Sequence, residues 1–253
     1  MTSAGMFDLT GRVAAVIGAA GHLCSTLSTA LAEHGATVVA LDVNDAIEAR
    51  PELAGRIAGS LTCDVISKDD LTRAREWILE RFGRVDILLN GAGTNAPSPF
   101  LDISGEEIDG ILDVNIKSVI FSCQVFGETM LAQGCGSIIN FASASSGPPL
   151  SKAFVYSIAK SGVVSLTQNL GREWATKGVR VNALRPGFFP TRWSMDHFID
   201  DDRKRRIMEH TPMQRFGAPE ELVGATVYLA SDASTFVTGS VVAVDGGFTA
   251  MTI

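Results

Sequence analysis

The sequence predicts an α/β fold, a doubly wound parallel sheet in a single domain of three layers. Three observations carry that expectation. Short apolar runs alternate with stretches of helical period along the whole chain. The strand candidates are continuously apolar, as strands covered on both faces must be, rather than alternating. With 253 residues, 46% hydrophobic and 19% charged, the chain can bury one large core, which excludes wholesale disorder.

Residues 12–18 (RVAAVIG) read as the first strand, and 21–34 as a helix that Gly35 stops. Residues 36–43 (ATVVALDV) and 59–65 form the second and third strands. Ser67 with Asp70 opens the next helix and Gly83 closes it. Residues 85–92 (VDILLNGA) are the fourth strand. Ser104 with Glu107 makes a capping box for one long helix to about 133. A fifth strand (136–143), a helix (154–176) ended by Gly178, a sixth strand (179–184), a helix (219–231) and a last strand (240–245) follow. The one long irregular stretch, 188–217, is expected to be a substrate lid with helical content.

The net charge of −7 disfavours a nucleic-acid partner, which would call for a basic surplus. No apolar run approaches the ~20 residues of a membrane helix, and residues 1–9 do not read as a secretory signal. Cys24, Cys63, Cys123 and Cys135 form no CxxC pair and read as free thiols. A cytoplasmic protein with a small-molecule substrate, no membrane partner and no metal site is expected.

Ligands of such sheets sit beyond the carboxyl ends of the strands. After the first strand comes Gly18-Ala19-Ala20-Gly21-His22-Leu23-Cys24, a glycine-bearing turn that lets backbone approach a pyrophosphate at a helix N-terminus. Asp42, 24 residues past Gly18, ends the second strand, where a carboxylate accepts from both ribose hydroxyls and repels a 2′-phosphate. No Arg or Lys follows before Arg50, so NAD is expected rather than NADP. Asp64 and Val65 end the third strand, where an adenine would lie, and the small residues of Asn90-Gly91-Ala92-Gly93 leave room for ribose and phosphates.

Tyr156 and Lys160 are four residues apart on one helix and share a face. An ammonium ~4 Å from the phenol, at an effective dielectric of ~20, is worth about 4 kcal/mol, or roughly three pKa units, which would bring the phenol into range as a base. Ser143, 13 residues earlier at a strand end, can fold back to steady a substrate oxygen. No histidine stands in a nucleophile-elbow motif, so a serine hydrolase is disfavoured.

Taken together, the turn, Asp42, Asp64-Val65, the NGAG stretch, Asn115, Ser143, Tyr156-x-x-x-Lys160 and Arg185-Pro186-Gly187 leading to Thr191 resemble a short-chain dehydrogenase/reductase of the one-domain, Rossmann-fold type. The resemblance runs from Arg12 to Gly247. It implies Tyr156 as general acid/base, Ser143 as the positioner of the reacting oxygen, and Lys160 as modulator of Tyr156 and holder of the nicotinamide ribose. It further implies Asn115 as support of a proton-relay water. Gly18, Gly21, His22, Leu23, Asp42, Asp64, Val65, Asn90, Ala92, Pro186, the backbone of Phe189 and Thr191 are then cofactor residues, with Tyr156 and Lys160 shared. Ser145, Arg192 and Trp193 are candidate substrate contacts, Arg192 for an anionic or hydroxylated group. The mixed run 200–206 reads as solvated helix surface.

The chain departs from the family's turn at Ile17, His22 and Cys24, where threonine and two glycines are usual. The 186–191 stretch is similar to members acting on sugars, polyols and sugar acids. That implies NAD-linked interconversion of a secondary alcohol and a ketone, and a homo-oligomer, tetramer or dimer, paired through the helices near 105–133 and 154–176. The rival readings are a 3-oxoacyl thioester reductase and a non-catalytic dinucleotide sensor on the same fold.

Overall fold

The computed structural model describes residues 4–43, 50, 52–191, 195 and 198–251. Its centre is one seven-stranded sheet, all neighbours parallel, in the order β3-β2-β1-β4-β5-β6-β7. The strands are β1 (Val13–Ile17), β2 (Thr37–Asp42), β3 (Gly59–Thr62), β4 (Ile87–Asn90), β5 (Gly136–Phe141), β6 (Val179–Pro186) and β7 (Val241–Val244). The order reverses between β1 and β4, and this switch point opens a crevice at the carboxyl edge.

The pleat sorts the core into two halves. Val13, Ala15 and Ile17 of β1 face one apolar cluster, and Ala14 and Val16 face the other. The first cluster is covered by α2 (Lys68–Phe82), α4 (Ser118–Gln133) and α5 (Phe154–Trp174), through residues such as Ile78, Phe126 and Val163. The second is covered by α1 (His22–Glu33) and α7 (Val223–Ala230), through Leu27, Leu31 and Leu229. Sheet and helices thus form the three expected layers. A third, smaller cluster of Phe198, Ile199 and Ile207 sits under α6 (Asp201–His210), the helix within the expected lid.

Four local expectations are corrected. The long helix from 104 is broken: α3 (Gly105–Leu112) passes through a π-helical segment, Asp113–Lys117, into α4. There the Ser118 N–H reaches back five residues to the Asp113 carbonyl. The cap at Ser104 is half a box: its hydroxyl accepts from the Glu107 N–H, but the Glu107 carboxylate accepts from Ser98 instead. The 219–231 helix begins as a 3₁₀ turn, Pro219–Leu222, because Pro219 lacks the N–H and the Glu221 carboxylate caps the Ala218 N–H. Strand three is also shorter than expected and ends before Asp64.

Candidate active site

The turn after β1 is shaped by space as much as by backbone freedom. Gly18 has φ +77°, and a Cβ there would lie 2.7 Å from the Ala92 nitrogen. The two loops leaving β1 and β4 therefore pack backbone to backbone. Gly21 caps α1 without a side-chain acceptor, the condition under which a helix N-terminus takes an anion. Exposed His22 is the first residue of α1 and Leu23 lines the crevice. Cys24, in the place of the family's third glycine, is buried and fills the space left by Gly91; a Cβ on Gly91 would collide with the Cys24 sulfur. Burial pushes that thiol up to about 12, so it is no reactive group.

Asp42 ends β2 and its carboxylate accepts from the Ala20 N–H at 2.9 Å, tying the strand end to the turn. Asp64 lies in the loop after β3, accepting from the Ile66 N–H, with Val65 buried beside it. The side chain of Asn90 turns into the core. Its amide donates to Asn140 at 2.8 Å, its carbonyl accepts from Ser122 at 2.7 Å, and Asn140 in turn donates to Thr167. This buried relay joins β4, β5, α4 and α5, and the Asn90 side chain is spent on it. Ala92 contributes through its backbone, packed against Gly18.

Beyond the carboxyl ends of β4, β5 and β6 lies a cleft of ≈ 380 Å³. Ser143, Tyr156 and Lys160 all line it. Ser143 caps a 3₁₀ turn and its oxygen stands 3.1 Å from the Ser145 hydroxyl, which also lines the cleft. Lys160 is buried, 3% exposed, and donates to the Phe141 carbonyl at 2.9 Å. Its nitrogen sits 5.6 Å from the centre of the Tyr156 ring. Burial lowers the ammonium to about 8. Burial also raises the phenol above its ordinary value near 10, with a hydrogen bond to Ser143 pulling it down. Lys160 thus bonds a backbone carbonyl while its nitrogen faces the Tyr156 ring.

Asn115 lies in the π-helical segment, fully buried. Its amide nitrogen donates to the Thr94 carbonyl at 2.7 Å and the Ile111 carbonyl at 2.8 Å. Its Oδ1 has no hydrogen-bond partner among the described residues. That oxygen lies 3.0 Å from where a Gly93 Cβ would stand, and the Lys160 nitrogen lies 3.7 Å from the same point. The π turn thus places a buried acceptor beside Gly93, where the lysine nitrogen also lies.

Pro186, Phe189 and Thr191 line the far side of the cleft, and Phe189 packs on Gly217. Arg192 and Trp193 lie outside the described residues. The lid helix corrects one expectation. Asp202, Arg205 and Arg206 do form exposed ion pairs, but Arg203 turns inward and lines the cleft, donating to the Ser151 carbonyl at 2.9 Å. Its signal was in the spacing: Arg203 precedes buried Ile207 by four residues, on one helix face. Asn95, also in the lining, was not singled out by the sequence either.

A glycine-lined turn at a helix N-terminus, a carboxylate at the end of the second strand, and a Ser–Tyr–Lys cleft across the switch point define a dinucleotide-linked oxidoreductase site. Residues 18–249 match the family model described as enoyl-(acyl carrier protein) reductase. The chain is 37% identical to the oxidoreductase UxuB of Bacillus subtilis, over 96% of each chain. It is 35% identical to 2-dehydro-3-deoxy-D-gluconate 5-dehydrogenase of Escherichia coli, over 96% of this chain and 98% of that one. Among solved structures, the gluconate 5-dehydrogenase of Burkholderia cenocepacia, in complex with NADP and tartrate, superposes with a TM-score of 0.93 at 31% identity, over 99% of this chain and all of that one. The chain belongs to the short-chain dehydrogenase/reductase family. It is an oxidoreductase of the nicotinamide-dinucleotide type. Among the described residues, no helix is long and apolar enough to cross a membrane.

Proposed function

We propose that the protein interconverts a secondary alcohol and a ketone on a sugar, polyol or sugar acid, with NAD as its preferred cofactor. The observation that carries the reading is the convergence of Ser143, Tyr156 and Lys160 on one cleft, with Asn115 Oδ1 unpartnered among the described residues beside Gly93 of its lining. The substrate class is supported by the two named relatives, one a dehydrogenase of a keto-deoxy sugar acid and the other of gluconate, the latter seen with a hydroxy acid.

The chain's residues fit the cofactor. The turn Gly18–Leu23 would take the pyrophosphate, Asp42 the adenosine ribose, and Asp64 and Val65 the adenine. Ala92, Pro186, Phe189 and Thr191 would flank the nicotinamide half, and Lys160 would hold its ribose. When bound, the dinucleotide supplies the hydride acceptor or donor. Asp42 favours NAD because a 2′-phosphate would face its carboxylate. Although NADP occupies the Burkholderia relative, the basic residue that a 2′-phosphate calls for is absent between Asp42 and Arg50.

Tyr156 Oη takes the substrate hydroxyl proton in oxidation and returns it in reduction. Ser143 donates to the reacting oxygen as it becomes a carbonyl. Lys160 places positive charge under the Tyr156 ring, and Asn115 Oδ1 can hold a water that carries the proton onward. Burial raises the Tyr156 phenol and its hydrogen bond to Ser143 lowers it, so the two residues act on the reacting oxygen as a coupled pair. A homo-oligomer paired through α4 and α5 follows from the family, and four free cysteines fit a reducing, cytoplasmic setting.

The test is a screen of polyols, sugars, sugar acids and hydroxyacyl thioesters with NAD⁺ and NADP⁺, read as reduced cofactor appears. The expected outcome is turnover on a polyhydroxy substrate with NAD⁺, and at least a thousandfold loss in Tyr156→Phe. The apolar side of the cleft (Leu150, Phe198, Ile199) and the acyl-carrier name of the family model favour thioester reduction as the second reading. Faster turnover of a 3-oxoacyl thioester with NADPH would establish it. Dinucleotide binding without turnover on any substrate, unchanged in Tyr156→Phe, would establish a sensor.

A further inference from the structure

The cleft contains two buried polar atoms that the proton-transfer chemistry does not use. Arg203 Nη1 has no hydrogen-bond partner among the described residues, and neither has Asn95 Oδ1. Both residues line the cleft that holds Ser143 and Tyr156. Each already spends its other end on a backbone carbonyl: Arg203 Nη2 on Ser151 and Asn95 Nδ2 on Lys152. The pair is therefore fixed in place by the loop before α5, with one donor and one acceptor left over. A buried polar group without a partner is costly, and a buried charge more so.

The charge balance of the cleft points the same way. Its described lining includes two cationic side chains, Lys160 and Arg203, and no carboxylate, in a chain of net charge −7. The nearest acid on the lid, Asp200, is spent on the Arg203 backbone N–H and on Lys152. Lys160 is bonded to Phe141 and belongs to the Tyr156 end. Among the described residues, Arg203 is thus the cation of the lining available to a substrate group away from the reacting carbon, and a planar guanidinium suits a carboxylate.

We propose that Arg203 determines substrate class by binding the carboxylate of a polyhydroxy acid, while Asn95 Oδ1 accepts from one of its hydroxyls. This rests on the alcohol–ketone reading and narrows it to sugar acids over neutral polyols. Arg203 is a specificity residue here, outside the proton-transfer machinery.

The experiment compares D-gluconate with D-glucitol, which share the polyol chain and differ at C1 by carboxylate against hydroxymethyl. Both are assayed with NAD⁺ on wild type, Arg203→Gln and Arg203→Lys, with KM for NAD⁺ and thermal midpoint measured in parallel. The expected result is a wild-type preference for the acid. Arg203→Gln loses about a hundredfold in kcat/KM on the acid, mostly through KM, the size of one lost charge-assisted hydrogen bond. Its activity on glucitol changes less than threefold. Arg203→Lys, which keeps the charge and can reach the Ser151 carbonyl, recovers at least part of the acid preference. An equal loss on both substrates, or an unchanged preference in Arg203→Gln, overturns the assignment and leaves the dehydrogenase reading standing. Turnover of a neutral polyol in preference to any acid also overturns it. If no alcohol of any kind is oxidised, the underlying reading fails with it.

Discussion

Lys160 holds its charge at an energetic cost, and the cost has a sign that can be measured. Its folded value of about 8 lies below the ordinary 10.5. Between those two values the unfolded chain binds more protons than the folded one, so stability rises with pH across that window. Below pH 8 the penalty is complete, about 3 kcal/mol from the shift. Replacing Lys160 by Met removes it and forfeits the bond to Phe141, worth ~1 kcal/mol. Lys160→Met should therefore be more stable than wild type by about 2 kcal/mol at pH 7, with the gap closing toward pH 10.5 while activity is lost. Denaturant unfolding at several pH values checks this. A variant less stable than wild type at pH 7 would show that the ammonium is better solvated than its burial implies. Such a gain of stability on loss of function is the ordinary trade at an active site.

Between elements, packing is very close where β4 leaves the sheet against α1. Cys24 and Gly91 share one volume there, so the glycine missing from the turn has in effect moved to the neighbouring loop. Gly91→Ala should destabilise by about 2 kcal/mol through overpacking. Cys24→Gly should cost about 1 kcal/mol or more through lost helix propensity and burial. The double variant should cost less than the sum by at least 1 kcal/mol, because each change relieves the other. A thermodynamic cycle from urea unfolding reads the coupling, and strict additivity would contradict the shared-volume account. The π turn 113–117 is the companion case: an element interrupted so that one side chain, Asn115, reaches the site.

At the scale of the molecule, α5 shows the site on one side and an apolar stripe on the other. Phe154 and Ile158 stand one turn apart, 46% and 66% exposed, and Phe100, 66% exposed, lies against Phe154. The Phe100 and Phe154 rings meet at 5.3 Å. This patch lies on α5, one of the two helices proposed to pair, and patches of this kind mark interfaces. Light scattering on the purified protein should give a homo-oligomer, and Ile158→Asp should shift it to a smaller species without unfolding it. A monomeric wild type would contradict the pairing.

The order of strands and helices, the core residues and the Ser143–Tyr156–Lys160 set were legible in the sequence, because each rests on local spacing. Apolar runs declare buried strands, glycines and caps declare ends, and a separation of four places two side chains on one helix face. What the sequence could not decide depends on neighbours distant along the chain. That the Asn90 side chain is held by Asn140 and Ser122 in the core is decided only by the fold. Tyr156 and Lys160 share a helix face in the sequence, but only the fold buries both and bonds the lysine to the Phe141 carbonyl. Arg203 looks like one charge in a solvated run until the lid folds it toward Ser151 and the cleft. Periodicity determines which residues can face inward, but solvation and partners, which set pKa and polarity, exist only once the chain has folded.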